Sequence, residues 1–156
     1  KISLVVCNNP QAEGISIAKK NSIPLLIINT KKRNFENIIL SNIKKHKISL
    51  ICLAGYMKIL SKRFISNYRK KIINIHPSLL PKYKGLNTFE RVINNEEKRT
   101  GCTVHYVDDK LDNGTKIVQK NFFIEKSDSV NNIKYKTQKL ERLAFPEAII
   151  KIYRYN

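Results

Sequence analysis

The sequence predicts a single α/β domain with a mostly parallel sheet and helices on both faces. Three observations carry that reading. Short continuous apolar runs alternate with segments of helical periodicity through the first half of the chain, the pattern of strands buried on two faces. The chain has 156 residues, which fits one domain able to bury roughly 68–70% of its unfolded surface. Apolar residues make up 42% and charged residues 27%, ordinary globular usage that excludes wholesale disorder and fibrous classes.

Ile2–Cys7 reads as the first strand, closed by the turn Asn8-Asn9-Pro10. Gln11–Asn21 follows as a helix with Ile15 and Ala18 on one face. Pro24–Ile28 is a second strand, and Asn37–Lys45 a helix with Ile38, Ile39 and Ile43 turned inward. Ile48–Ala54 is an apolar strand ended by Gly55, Lys62–Tyr68 a short helix, and Ile72–His76 a fourth strand. The second half changes style. A loop over Pro77–Gly85 leads to a short helix over Phe89–Asn94. Two β segments, Gly101–Val107 and Lys116–Phe123, flank a hairpin-like turn at Asp112-Asn113-Gly114. Lys126–Asn131 reads as a polar loop. Ile133–Tyr153 is a long terminal helix with Leu140, Leu143, Ile149 and Ile150 as its stripe, which Pro146 should kink or divide.

Thirty basic against twelve acidic residues give a net charge of +18. That balance suits a polyanionic partner, or equally a set of scattered lysines on solvated faces. The densest runs are Lys31-Lys32-Arg33, Lys44-Lys45-His46-Lys47 and Arg69-Lys70-Lys71. None has the interleaved aromatics of a base-stacking platform, so a nucleic-acid module is the secondary reading. Cys7, Cys52 and Cys102 sit in separate apolar runs with no C-x-x-C pair, which predicts buried, reduced thiols and a cytoplasmic protein. No apolar run reaches 18 residues, so no membrane span is predicted. The opening Lys1–Cys7 is too short and too mixed to read as a secretory signal.

Asn74 and His76 stand two apart on a predicted strand, so both side chains share a face. The strand ends at Pro77, and open parallel sheets bind ligands beyond the carboxyl ends of their strands. A turn-capping Asn74 and a satisfied polar His76 fit the same spacing. Asp112 precedes Asn113-Gly114 and forms a turn whether or not it has a further role. If it meets His76, its carboxylate would orient the imidazole and raise its pKa. His105 lies mid-strand and reads as structural, and His46 among lysines reads as a surface residue. No histidine or cysteine pair has metal-ligand spacing, so no metal is predicted. The five glycines form no phosphate-binding motif, and Ser78 lacks the frame of a hydrolase nucleophile.

At these residues the sequence becomes familiar. Asn74-Ile75-His76-Pro77-Ser78-Leu79-Leu80-Pro81-Lys82-Tyr83-Lys84-Gly85 resembles the signature loop of folate-dependent formyltransferases. Gly101–Gly114 is similar to their second motif, and Ala54–Leu60 resembles their folate-side segment. The segments occur in the family's order along essentially the whole chain, which implies a Rossmann-like fold and the cytoplasm. His76-Pro77 points to the branch acting on glycinamide ribonucleotide in purine biosynthesis, rather than the methionyl-tRNA or hydrolase branches. The resemblance implies formyl transfer from 10-formyltetrahydrofolate, as co-substrate, to the ribonucleotide's amine. Asn74 and a protonated His76 would donate to the developing oxyanion, the role of an oxyanion hole. Asp112 would hold His76 charged and organise a water for proton transfer. The resemblance assigns folate binding to Arg33, Tyr56, Met57, Ile59, Leu60, Asp108 and Leu111. It assigns the ribonucleotide to Pro77, Gln138 and Glu141, and makes the Leu80–Pro81 bond cis. A monomer or weak homodimer acting on small molecules, with no membrane or nucleic-acid partner, is expected.

One feature departs from the family. Its members open with a strand, a glycine-rich phosphate loop and a helix ahead of the segment matching Lys1–Cys7. That strand lies between the ones matching Ile2–Cys7 and Ile48–Ala54, and the loop cradles a phosphate at a helix N-terminus. The expectation is therefore an incomplete copy of the domain, either a fragment or a truncated and poorly active enzyme with weak ribonucleotide binding.

Overall fold

The protein is described here by a computed structural model covering residues 1–68 and 71–154. The Arg69-Lys70 part of the third basic run lies outside the described residues. In chain order the elements are β1 (Val5–Cys7), α1 (Glu13–Lys20), β2 (Leu25–Ile27), α2 (Phe35–Lys45), β3 (Leu50–Leu53), α3 (Lys62–Asn67), β4 (Lys71–His76), α4 (Thr88–Asn94), β5 (Arg99–Tyr106), β6 (Lys116–Phe123) and α5 (Val130–Arg154). They form two compact units, one of Lys1–Ser49 with Leu60–Lys70, the other of Leu50–Ile59 with Lys71–Asn156.

In the first unit β1 and β2 pair in parallel, from Val5 opposite Leu25 to Cys7 opposite Ile27. Helix α1 buries Ile15 and Ala18, the face its periodicity marks. Helix α2 buries Ile43, with Ile38 and Ile39 half-buried beside it. Ser61 caps α3 by accepting from the Phe64 N–H at 3.0 Å. The Glu36 carboxylate accepts in turn from the Ser61 N–H at 2.9 Å and so ties α2 to α3.

The second unit is a sheet in the order β3-β4-β5-β6. Strands β3 and β4 are parallel, whereas β4–β5 and β5–β6 are antiparallel. The fold is thus α/β, with helices packed on a mixed sheet. Its core joins Ile73, Ile75, Cys102, Val104 and Val118 to Ala144, Ala148 and Ile152 of α5. Strands β1 and β3 each have one hydrogen-bonded neighbour, so each keeps an open edge among the described residues.

Three expectations are corrected. Helix α5 runs unbroken through Pro146. A proline inside a helix costs about 3 kcal/mol, but Pro146 is exposed while Ala144 and Ala148 on either side are fully buried. Packing of that alanine face outweighs the local break. The buried stripe is Ile133, Thr137, Ala144, Ala148 and Ile152. Leu140 and Ile149 pack beside it, but Leu143 is 61% exposed and Ile150 49%. Repeats of four and seven residues keep the small alanines on the sheet and turn those two outward. Among the thiols only Cys102 is buried, which pushes its pKa up to about 12. Cys7 is half-buried and Cys52 exposed, because alternate residues of a strand face opposite ways. Among the described residues no helix is long and apolar enough to cross a membrane.

Candidate active site

Strand pairing builds the site. In the β4–β5 ladder Asn74 lies opposite His105, and His76 opposite Thr103. With a side-chain period of two, these four residues share one face of the sheet. Ile73, Ile75, Cys102 and Val104 take the other face, against α5.

Asp112 reaches that polar face from the loop after β5. Its backbone is left-handed, with φ 47°, a conformation that short Asp side chains tolerate better than bulky ones. Strands β5 and β6 pair antiparallel, as the hairpin-like pattern predicts, and nine residues, 107–115, join them. Asp112 Oδ2 stands 3.2 Å from His76 Nδ1 and accepts from the Gly85 N–H at 2.9 Å. Asp112 Oδ1 stands 3.6 Å from His105 Nε2, which is 3.3 Å from Asn74 Nδ2. His105 Nδ1 donates to the Tyr106 carbonyl at 2.7 Å. The structure thus brings Asn74, His76 and Asp112 together and adds His105, which the sequence placed in a structural role.

The loop after β4 closes over His76. Thr103 Oγ1 donates to the Ser78 carbonyl at 2.7 Å and accepts from the Leu80 N–H at 3.1 Å. Gln119 Nε2 donates to the Leu80 carbonyl at 2.8 Å, and the Leu80–Pro81 bond is cis. Tyr83, at φ 57°, turns its carbonyl toward His76 Nε2 at 2.8 Å. The Arg91 guanidinium sits 5.3 Å from the Tyr83 ring centre and donates to the Lys84 carbonyl at 2.7 Å. These contacts hold the Tyr83 carbonyl in place.

His76 therefore faces an acceptor at each ring nitrogen, an arrangement fully satisfied only by the doubly protonated ring. Burial opposes it and lowers the His76 pKa. The Tyr83 carbonyl and Asp112 pull it back up, and His105 and Arg91 add to the lowering. The expected rise from Asp112 is present, but desolvation outweighs it. Burial also pushes the Asp112 carboxyl upward, yet the nearby His105 ring, the Gly85 N–H and the His76 imidazole more than offset this. The Asp112 pKa lies below its ordinary value.

These directions fix a sign. The unfolded His76 ring binds its proton near pH 6.5, while the folded ring resists, so acidification below that point favours the unfolded chain. Asp112 contributes stability that is lost only as pH falls through its depressed folded pKa. The urea midpoint of the wild type is expected to drop between pH 7.5 and 5.5, and His76→Gln to flatten that slope. An equal slope in the two proteins would contradict the assigned direction.

The other expected contact residues divide. Pro77 is half-buried directly after His76. Met57 is 75% exposed, Ile59 71% and Leu111 50%, apolar side chains open to a ligand, with Tyr56 half-buried among them in sequence. Asp108 stiffens the Asp112 loop by accepting from the Lys110 N–H at 2.9 Å. Gln138 is exposed and Glu141 half-buried on α5. Glu141 acts on Cys102, on the sheet face opposite the cluster, and burial raises its carboxyl pKa. Neither α5 residue hydrogen-bonds to the cluster. Arg33 is exposed and Leu60 buried, both in the first unit. Among the described residues no group of three His, Cys, Asp or Glu side chains could hold a metal ion.

An open α/β sheet that gathers an amide, two imidazoles and a carboxylate at the end of a strand has the layout of a ligand-binding α/β enzyme. The chain belongs to the formyl transferase family, which matches residues 1–149. It is 38% identical over 151 residues to phosphoribosylglycinamide formyltransferase of Bacillus subtilis, covering 94% of this chain and 77% of that one. It is 38% identical over 152 residues to the trifunctional purine biosynthetic protein adenosine-3 of Drosophila melanogaster. There it covers 95% of this chain but spans only 11% of the fly protein. The crystal structure of phosphoribosylglycinamide formyltransferase from Bacillus halodurans superposes with a TM-score of 0.92 at 32% identity, covering 97% of this chain and 80% of that one.

Proposed function

We propose that this chain transfers the formyl group of 10-formyltetrahydrofolate to the amine of glycinamide ribonucleotide, a step of purine biosynthesis in the cytoplasm. The observation that carries the reading is the convergence of Asn74, His76 and Asp112 on one sheet face in a chain whose relatives bear that name. The amine attacks the formyl carbon, a C–N bond forms, and the carbonyl electron pair moves onto oxygen. Asn74 donates to that oxygen. His76 does so when the oxygen takes the place of the Tyr83 carbonyl, and the growing negative charge favours its second proton. Asp112 orients His76 and, with a water, carries the proton lost by the amine. Collapse breaks the bond to the folate nitrogen, which leaves with a proton.

The exposed Met57, Ile59 and Leu111, with Tyr56 and Asp108, suit the pterin. Pro77, Gln138 and Glu141 are assigned to the ribonucleotide. The deciding assay offers formyl-folate with glycinamide ribonucleotide, with initiator methionyl-tRNA, and with water alone. Transfer to the ribonucleotide is expected. Transfer only to tRNA, or formate release with no acceptor, would replace this reading.

A further inference from the structure

We propose that His105 is a positioning residue for this reaction: its Nε2 lone pair takes one Asn74 amide hydrogen and so aims the other at the reacting oxygen. The inference rests on the transfer reaction proposed above. Its basis is a chain of contacts fixed by strand pairing. The Tyr106 carbonyl only accepts, so His105 Nδ1, 2.7 Å away, carries a proton. In the neutral ring Nε2 then carries a lone pair. Asn74 Nδ2 lies within hydrogen-bond range of it at 3.3 Å, whereas Asp112 Oδ1 at 3.6 Å lies beyond that range. His105 is 2% exposed, so water does not readily replace it. His76 and Asp112 are the ionisable groups that act across the cluster on the same face.

The consequence is orientational. An Asn side chain has a donor end and an acceptor end of nearly equal shape. With no acceptor at its Nδ2, the amide is free to turn its oxygen toward a developing oxyanion, which repels it. With His105 in place, only the donor orientation satisfies the buried ring. Asn74 stands opposite His105 in the ladder, so the alignment is set by the backbone before any substrate arrives.

The test compares His105→Leu with His105→Gln, whose Oε1 can accept near the position of Nε2. His105→Leu is expected to lower kcat by on the order of 10², with KM for both substrates nearly unchanged, and His105→Gln to recover most of the loss. An unchanged kcat in His105→Leu, or equal losses in both variants, would overturn the inference while leaving formyl transfer intact. Nitrogen-15 spectra give an independent reading that needs no turnover. The wild-type ring should carry its proton on Nδ1, and the two Asn74 amide hydrogens should differ more in shift than in His105→Leu. A wild-type ring protonated on Nε2 alone would overturn the inference without any variant, and would do so even if the chain transferred no formyl group.

Discussion

His76→Ala lowers formyl-transfer turnover by on the order of 10²–10³, the usual effect of removing one donor to a developing oxyanion. The ring is the centre of the cluster: it touches Asp112 on one side and the Tyr83 carbonyl on the other. Removing it leaves the buried Asp112 carboxylate with the Gly85 N–H, so the fold loses only about 1–3 kcal/mol. Asp112 is argued to act through His76. Asp112→Asn should therefore lower turnover on its own, but add little in the His76→Ala background, since groups working as a unit are strongly non-additive. Single-turnover transfer and urea unfolding, measured on the two single variants and the double, separate catalysis from folding. Full turnover in His76→Ala would remove the ring from the mechanism, and additive losses would detach Asp112 from it.

Much of the fold is legible because its signals are local. Continuous apolar runs mark β3 and β4, and the spacing of Ile15 and Ala18 marks the buried face of α1. The misreadings arise where tertiary packing decides. Pro146 reads as a break, but the alanines beside it lie flat on the sheet and keep α5 whole. Leu143 and Ile150 read as core because they are large and apolar, yet the interface selects small residues that let the helix approach. Cys52 reads as buried because its neighbours are apolar, although its own side chain is exposed.

The site divides along the same line. Asn74 and His76 are visible as a period-two pair at a strand end, which needs one strand only. His105 is invisible as a partner, because its place depends on the antiparallel register that sets it opposite Asn74. The sequence marks it only as a polar residue in an apolar strand. Asp112 is visible as a turn-former, but its left-handed backbone and its reach to His76 depend on the length of the 107–115 loop. The sign of the His76 shift is likewise not local. A neighbouring carboxylate predicts an upward shift, and only the enclosure by the Tyr83 loop shows that desolvation is larger.

Gly114→Ala should damage fold and turnover together, and by a route that touches no group of the cluster directly. A methyl group at Gly114 would overlap the backbone carbonyl of Tyr106. That carbonyl cannot swing aside cheaply, because it accepts from His105 Nδ1 while the Tyr106 N–H donates to the Thr115 carbonyl at 2.9 Å. Relief must come from the loop, and Asp112 stands two residues away. Overpacking of this kind costs about 1–3 kcal/mol, and a shift of about 1 Å in a positioned group can cost on the order of 10² in rate. The comparison variant is Gly14→Ala, where the same methyl meets nothing within 4 Å inside α1. There alanine should stabilise by about 0.5–1 kcal/mol, the ordinary helix penalty of glycine. The two substitutions add the same atom and should move the denaturation midpoint in opposite directions. Turnover should fall only for Gly114→Ala. A Gly114→Ala protein with wild-type midpoint and wild-type turnover would mean that the 107–115 loop does not pass under Tyr106 as described, and Asp112 would lose its place beside His76.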